Sequence, residues 1–194
     1  MDQAKIRLPG AVESALLMEL FTVMKEFFSS SNVWQEEIKF NVVPTTASYY
    51  TDSSEYTYDL LPIQGEIIRL IGVRNADGFP VTATMQAPGC VVLNTSPAAA
   101  EQYTALTVLT VVDPTSREGY PQFPDWVLSK YFNEILDGLL GRMMSQIAKP
   151  YSSPAIASMH LRKFKQGISM AKVESRRKNV YRGQSWRYPR SFAT

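Results

Sequence analysis

The sequence predicts an α+β fold class: a helical bundle with an inserted antiparallel β-rich domain and an extended C-terminal tail. Three observations lead to this prediction. Apolar residues recur at three- and four-residue steps near the N-terminus and again after residue 124, which is the helical period. Between these two regions lie short runs rich in Val, Ile, Thr and Tyr, typical of strands. The end of the chain is basic and aromatic, without periodicity.

The order of these patterns predicts the domain organisation. Residues 1–32 and 114–176 are expected to form the helical bundle, residues 33–113 the β-rich insertion, and residues 177–194 the extended C-terminal docking tail. The chain has 194 residues, 45% of them hydrophobic, which is enough to bury a core. No helix-length pattern separates the runs in the middle, so the sheet is expected to be antiparallel, as a sandwich or a small barrel.

The first helix is predicted over residues 11–28. Pro9 and Gly10 keep it from starting earlier, and the Ser-Ser-Ser-Asn run at 29–32 is expected to end it. Its apolar side chains form one stripe, which favours packing against the core. The stripe consists of Leu16, Leu17, Leu20, Phe21, Met24, Phe27 and Phe28.

Seven strands are predicted in the middle of the chain. They cover residues 38–43, 48–51, 56–60, 66–74, 81–86, 90–94 and 103–112. The strongest turn signal is the Asn-Ala-Asp-Gly run at 75–78, because Asp-Gly readily supplies the positive φ that a tight hairpin needs. The sequence therefore predicts that the strand before this turn pairs with Val81, Ala83 and Met85 after it.

A second helical region begins after Pro124. Asp125 is expected to cap the helix and to place a carboxylate at its positive end. Gly138 and Gly141 are costly inside a helix, at about 1 kcal/mol each relative to Ala, so we expect them to let another helix approach closely. An alternative for Gly141 is that it merely loosens the helix.

The last helix is predicted to start at Ser152-Ser153-Pro154, a serine cap followed by proline in the first turn. Its apolar stripe is narrow, and basic residues cover the rest of its surface. Beyond about Lys178 the periodicity stops. There, three large aromatic residues alternate with arginines, in the order Tyr181, Arg182, Trp186, Arg187, Tyr188 and Arg190.

The charge is divided unevenly along the chain. Overall, 20 Lys and Arg residues face 18 Asp and Glu residues, a net charge of +2. Residues 161–194 contain ten of the basic residues and one acid, Glu174, for a net charge of +9. The first 160 residues therefore have a net charge of −7. The sequence therefore predicts an acidic body with a basic C-terminal end.

Several classes of protein are disfavoured by what the sequence contains. The apolar stretch around residues 15–28 holds three charges, too many for a membrane span or a signal peptide. Cys90 has no second cysteine to pair with, and His160 is the one histidine, so no metal site, cofactor or catalytic triad is expected. We interpret His160 as a packed or solvent-facing residue and Cys90 as a buried strand residue. Glu36-Glu37 is a carboxylate pair without evidence of a shared cleft.

The basic tail has three possible explanations. It can be a solvated end, a nucleic-acid arm or a protein-docking segment, and its charge alone does not decide among them. Exposed large aromatics favour the docking segment, because soluble proteins seldom leave several of them in water. Salt distinguishes the two binding modes, since a nucleic-acid arm loses affinity steeply as salt is added.

Several short motifs in the second half of the chain occur in a recognisable order. They are residues 106–114 (LTVLTVVDP), 123–128 (FPDWVL), 138–143 (GLLGRM), 149–151 (KPY) and 164–168 (FKQGI), with Tyr131 and Ile135 between them. In this order they resemble the head-to-tail adaptor proteins of short-tailed bacteriophages, also called tail tubular protein A or neck proteins. About 60 residues carry the resemblance well; the N-terminal half matches only as a helix followed by strands.

The resemblance implies a non-enzymatic virion protein, located in the neck and assembled in the host cytoplasm. Family members form a ring of twelve copies below the portal protein, receive the tail nozzle beneath, and enclose double-stranded DNA. Portal docking would then fall on residues 176–192, with Tyr181, Trp186 and Tyr188 as anchors. The docking residues implied are Arg176, Arg177, Tyr181, Arg182, Trp186, Arg187, Tyr188 and Phe192. The alternative is a DNA-binding accessory protein that uses its basic C-terminal region.

Overall fold

The computed structural model describes residues 2–44, 57–62, 64–97, 99–112 and 123–180. Helices and antiparallel sheets both occur, which confirms the predicted mixed class. The helices are α1 (Asp2–Arg7), α2 (Glu13–Ser31), α3 (Asp125–Met144) and α4 (Pro154–Val180). The strands are β1 (Gln35–Val42), β2 (Thr57–Asp59), β3 (Glu66–Arg74), β4 (Pro80–Val81), β5 (Ala83–Ala87), β6 (Cys90–Leu93) and β7 (Glu101–Thr110).

The strands form two antiparallel sheets, with the orders β1-β7-β3-β4 and β2-β6-β5. In β1 the buried residues alternate, at Ile38, Phe40 and Val42, and they pair with β7 in regular register. This two-residue period turns one face of β1 toward the core. The strand predicted at residues 48–51 lies outside the described residues.

The hairpin at residues 75–78 forms and Val81 pairs with the strand before it, as predicted, but the predicted pairing of Ala83 and Met85 with that strand is wrong. Gly78 has a φ of +85°, and Asn75 accepts a hydrogen bond from the backbone of Phe79 at 2.8 Å. Pairing across this turn ends at Val73 and Val81. β5 instead pairs with β6 across the two-residue Pro88-Gly89 turn, where Gly89 has a φ of +78°. The shorter loop closes at a lower cost in entropy, which favours this second hairpin.

Both ends of α2 differ from the prediction. The helix continues to Ser31, because the hydroxyls of Ser29 and Ser31 bond to carbonyls of the preceding turn, at Lys25 and Phe27, and stay within the helix. Asn32 then ends the helix in the left-handed conformation, with a φ of 56°. The short helix α1, before Pro9, was not predicted.

The start of α3 also corrects the prediction. Pro124 occupies the capping position, and no side chain caps the helix. Asp125 is the first helical residue, so its carboxylate does lie at the positive end of the helix, as predicted. The backbone of α3 departs from helical geometry at Tyr131.

One hydrophobic core is shared by the helices and the sheets. Phe27 and Phe28 of α2, Trp34, and Phe164 of α4 belong to the same cluster of buried residues as Ile38, Phe40 and the other inward strand residues. A second cluster joins the helices alone, through Leu8, Leu16, Leu140 and Met143. The strands therefore pack onto the helices rather than around a separate core of their own.

Candidate interaction surface on the last helix

Helix α4 packs its inner side against α3 and α2. The helix starts at Pro154, where the carbonyl of Ser153 accepts the first helical hydrogen bond, from Ala157 at 2.8 Å. The inner residues recur at three- and four-residue steps, which places them on one side of the helix. They are Ala157, His160, Phe164, Gly167, Ala171 and Ser175, all buried.

Glycines bring α3 and α4 into close contact. A Cβ atom at Gly138 would lie 2.7 Å from Cγ1 of Val23 and 2.8 Å from Cδ2 of Phe164. A Cβ atom at Gly141 would lie 2.8 Å from Cγ of Leu161. Gly138 therefore lies where three helices meet, and Gly141 lies where α3 crosses α4.

Gly167 of α4 makes the same kind of contact, which sequence reasoning did not assign to it. A Cβ atom there would collide with the side chain of Glu134. The signal was present in the sequence, because a glycine inside a 27-residue helix has the same cost as Gly138 in α3.

The single acid of the C-terminal region is bound to α3. The carboxylate of Glu174 pairs with the ammonium group of Lys130 and accepts a hydrogen bond from the hydroxyl of Tyr131 at 3.0 Å. Burial, this hydrogen bond, and the negative charges of Glu174 and Glu134 together raise the pKa of Tyr131. Glu174 is therefore engaged with α3, and its side chain is only partly exposed.

The outer side of α4 carries unbalanced positive charge. Arg162, Lys163, Lys165, Arg176 and Arg177 are exposed, and Lys172 is half-buried. Among the residues whose side chains the structure describes, none of these six forms an ion pair within the chain. Such a surface attracts acidic proteins or phosphate backbones.

The C-terminal part of α4 is tied to two other elements. The Ser175 hydroxyl donates to the Asn32 carbonyl at the end of α2, at 2.7 Å, and accepts a hydrogen bond from the amide of Gln35 in β1, at 2.9 Å. Because Ser175 is buried, these bonds fix the C-terminal part of α4 relative to α2 and β1. Ser175 had no signal in the sequence, because its side chain is small and it belongs to no motif.

The residues that the sequence offered as candidates for catalysis occupy ordinary structural positions. Nδ1 of the buried His160 lies 2.7 Å from Oδ1 of Asp137 across the α3–α4 contact. Cys90 begins β6 and is half-buried rather than fully buried, because it occupies the end of the strand. Glu36 and Glu37 are successive residues of β1, and successive side chains on a strand point to opposite faces.

Within the described ranges, no group of three or more His, Cys, Asp or Glu residues could hold a metal ion. None of their helices is both long and apolar enough to cross a bilayer.

The structure places part of the predicted docking segment. Arg176 and Arg177 lie on the exposed side of α4, which continues through Val180, so residues 177–180 are helical rather than extended. Helical periodicity faded in the sequence before the hydrogen-bonded helix ended. The other predicted docking residues, Tyr181, Arg182, Trp186, Arg187, Tyr188 and Phe192, lie outside the described residues.

No family profile matches this chain, and no curated protein matches it. Assignment of a function therefore depends on its own sequence and geometry.

Proposed function

We propose that this protein is a head-to-tail adaptor of a short-tailed bacteriophage. Copies of it would form a ring, dodecameric in the family that it resembles, that joins the portal protein to the tail nozzle and encloses the DNA channel. The proposal assigns it no catalysis and no cofactor, and locates it in the neck of the virion. The observation that carries it is the ordered set of motifs between residues 106 and 168.

The described parts of these motifs support the proposal. A strand, β7, is followed by α3 with its close-packed glycines, then by a break at residues 149–151, then by α4 with Gly167 at a helix contact. In the proposed protein, α2, α3 and α4 form the helical bundle, residues 33–113 are its insertion, and the residues after α4 are the docking tail.

The charge distribution also supports a ring. Identical subunits in a ring contact each other head to tail, so each needs two different surfaces. An acidic body and a basic end supply such a pair. We further expect an acidic channel lining, which would let packaged DNA pass without adhering. An image of the ring with an interior lined mainly by Lys and Arg would contradict this expectation.

Deletion of residues 181–194 tests the docking role. Because α4 ends at Val180, this truncation leaves every described element whole. We expect the truncated protein to lose association with purified portal rings of the same virus, measured by co-sedimentation, and to keep its helical circular dichroism. Undiminished portal association would contradict the docking role.

Trp186→Ala is the narrower test of the same role. If Trp186 is a central anchor, its truncation weakens portal binding by about 2 kcal/mol or more, which is about 30-fold in the dissociation constant. Trp126→Ala is the matched control, because Trp126 is a partly exposed tryptophan at the start of α3, outside the docking segment. We expect the control to bind the portal as the wild type does.

A second candidate function is DNA binding by the basic C-terminal region. The exposed cations of α4, above all Arg162, Lys163 and Lys165, favour this alternative. Binding through phosphates weakens steeply with salt, with a slope set by the number of phosphates neutralised. A 30-base-pair duplex that binds with such a slope, together with intact portal association after tail deletion, would favour this second function.

A further inference from the structure

Helix α4 carries a line of exposed apolar side chains that has no partner among the described residues. Ile156 and Met159 are three residues apart, as are Met170 and Val173, and the pairs are 14 residues apart, close to four helical turns. All four therefore lie on one side of the helix. Met170 is 67% exposed, and the other three are about half exposed.

Positive charge accompanies this line. Lys163 lies on the same side of the helix, between the two apolar pairs, and Arg162 is exposed at the edge of this line. Over its full length α4 has seven basic residues and one acid, Glu174, which is bound to α3. This surface of α4 is therefore both apolar and basic.

The β part of the molecule has the complementary character. Its described residues include six acids, Glu36, Glu37, Asp59, Glu66, Asp77 and Glu101, against three bases, Lys39, Arg69 and Arg74. In the segment that links the two sheets, Asp59 and Glu66 are exposed, and Leu61 between them is 83% exposed. This segment is both apolar and acidic.

We propose that the line on α4 docks on the Asp59–Leu61–Glu66 segment of a second copy of this chain. The contact buries Met170 and Leu61, and it brings Lys163 opposite a carboxylate. Pairing of α4 with another α4 would place like charges together. A phosphate backbone would leave the apolar side chains in water. The inference rests on the proposed ring and names the two surfaces that would form it.

Two double variants test the contact, one on each surface. K163E/M170E changes the α4 side, and D59K/E66K changes the linking segment; all four residues are exposed, so folding is not expected to suffer. M18E/K149E is the matched control, since it makes the same chemical changes at exposed positions away from both surfaces. Sedimentation velocity over a range of concentrations measures self-association.

We expect the wild type and the control to self-associate, and each double variant to weaken association more than tenfold. The mixture of the two double variants is decisive. In a head-to-tail contact each keeps one intact surface, so the mixture should form mixed assemblies that neither double variant forms alone. A mixture that stays monomeric, double variants that associate like the wild type, or a wild type that stays monomeric at about 1 mM would overturn the proposal.

Portal association distinguishes failure of this contact from failure of the proposed function. The double variants keep residues 181–194, so we expect each to bind portal rings through that segment. If self-association uses other surfaces, the proposed contact fails while the result of the tail deletion still stands. If the wild type stays monomeric and binds a 30-base-pair duplex that K163E/M170E does not bind, the line on α4 recognises nucleic acid and the proposal is overturned.

Discussion

Gly138 is the residue at which three helices meet, and this position predicts the effect of adding a methyl group. In Gly138→Ala the new Cβ atom would lie under 3 Å from Val23 and Phe164, both fully buried. We expect a loss of about 1–3 kcal/mol in the free energy of unfolding from overpacking. The gain in helix propensity from replacing glycine is about 1 kcal/mol and offsets part of this loss, so we expect a net loss of up to about 2 kcal/mol. Urea denaturation measures the difference.

Gly72→Ala is the control for this substitution. Gly72 lies in β3, and a Cβ atom there would meet no other atom within 4 Å. We expect its free energy of unfolding to stay within about 0.5 kcal/mol of the wild type. Equal effects at the two glycines would show that the close contact at Gly138 does not limit stability.

The raised pKa of the Tyr131 hydroxyl predicts that the protein loses stability at alkaline pH. Burial and the neighbouring carboxylates raise its pKa above the ordinary value near 10, so the folded chain holds this proton more tightly than the unfolded chain. This stabilisation is complete below about pH 10 and is lost as the pH rises further. We expect Tyr131→Phe to show a smaller loss of unfolding free energy than the wild type between about pH 9 and pH 11.

Two features of the chain sharpen this test. Burial, followed by the charge of Glu101, also raises the pKa of Tyr103, so part of the alkaline loss remains in Tyr131→Phe. Tyr151→Phe is the control, because the Tyr151 hydroxyl donates to an uncharged amide, that of Gln146. An alkaline loss that is the same in Tyr131→Phe and the wild type would exclude Tyr131 as its source.

At the scale of elements, Ser175 joins α4 to α2 and β1. Ser175→Ala removes a buried donor to Asn32 and one of the two acceptors of the Gln35 amide, which also donates to the Asn32 carbonyl. We expect a loss of about 1–2 kcal/mol in the free energy of unfolding. Ser169→Ala is the matched control on the same helix, because its exposed hydroxyl bonds only to the carbonyl of Lys165. A loss as large in Ser169→Ala would mean that the junction at Ser175, its bonds to α2 and β1, adds no stability.

The elements that the sequence predicts well are those with long, regular patterns. α2, α3 and α4 were recognised because apolar residues recur at the helical period over several turns, and β3 and β7 because they are long runs rich in strand-favouring residues between turn residues. The split of the predicted strand at 81–86 into β4 and β5 was missed, since its pairing depends on which of two turns closes. The local sequence pattern does not show which of the two turns determines the pairing.

Much less of the candidate surface could be predicted. The basic character of α4 and the contacts of Gly138 and Gly141 follow from composition and helix propensity. The bonds of Ser175 and the contact of Glu174 with α3 do not, because they depend on how α4 is oriented against α3 and β1. The exposed line on α4 likewise becomes visible only when the buried side of the helix is known.

At the scale of the whole molecule, the shared core predicts cooperative unfolding. Trp34 lies against Phe28 of α2 and next to Gly65 before β3, so the helices and sheets meet around it. We expect the helical circular dichroism and the fluorescence of Trp34, measured with Trp126 and Trp186 replaced by Phe, to follow one urea transition. Two separate transitions would indicate that residues 33–113 fold as an independent domain.

The junction at Ser175 has a mechanical consequence. Helix α4 is about 40 Å long, from a rise of 1.5 Å per residue, and Ser175 lies little more than one turn before its last residue, Val180. Tension on the chain beyond Val180 therefore reaches α2 and the edge strand β1 at once, through the bonds to Asn32 and Gln35. The force is therefore borne by α2 and by the sheet that contains β1, as well as by the contact between α4 and α3.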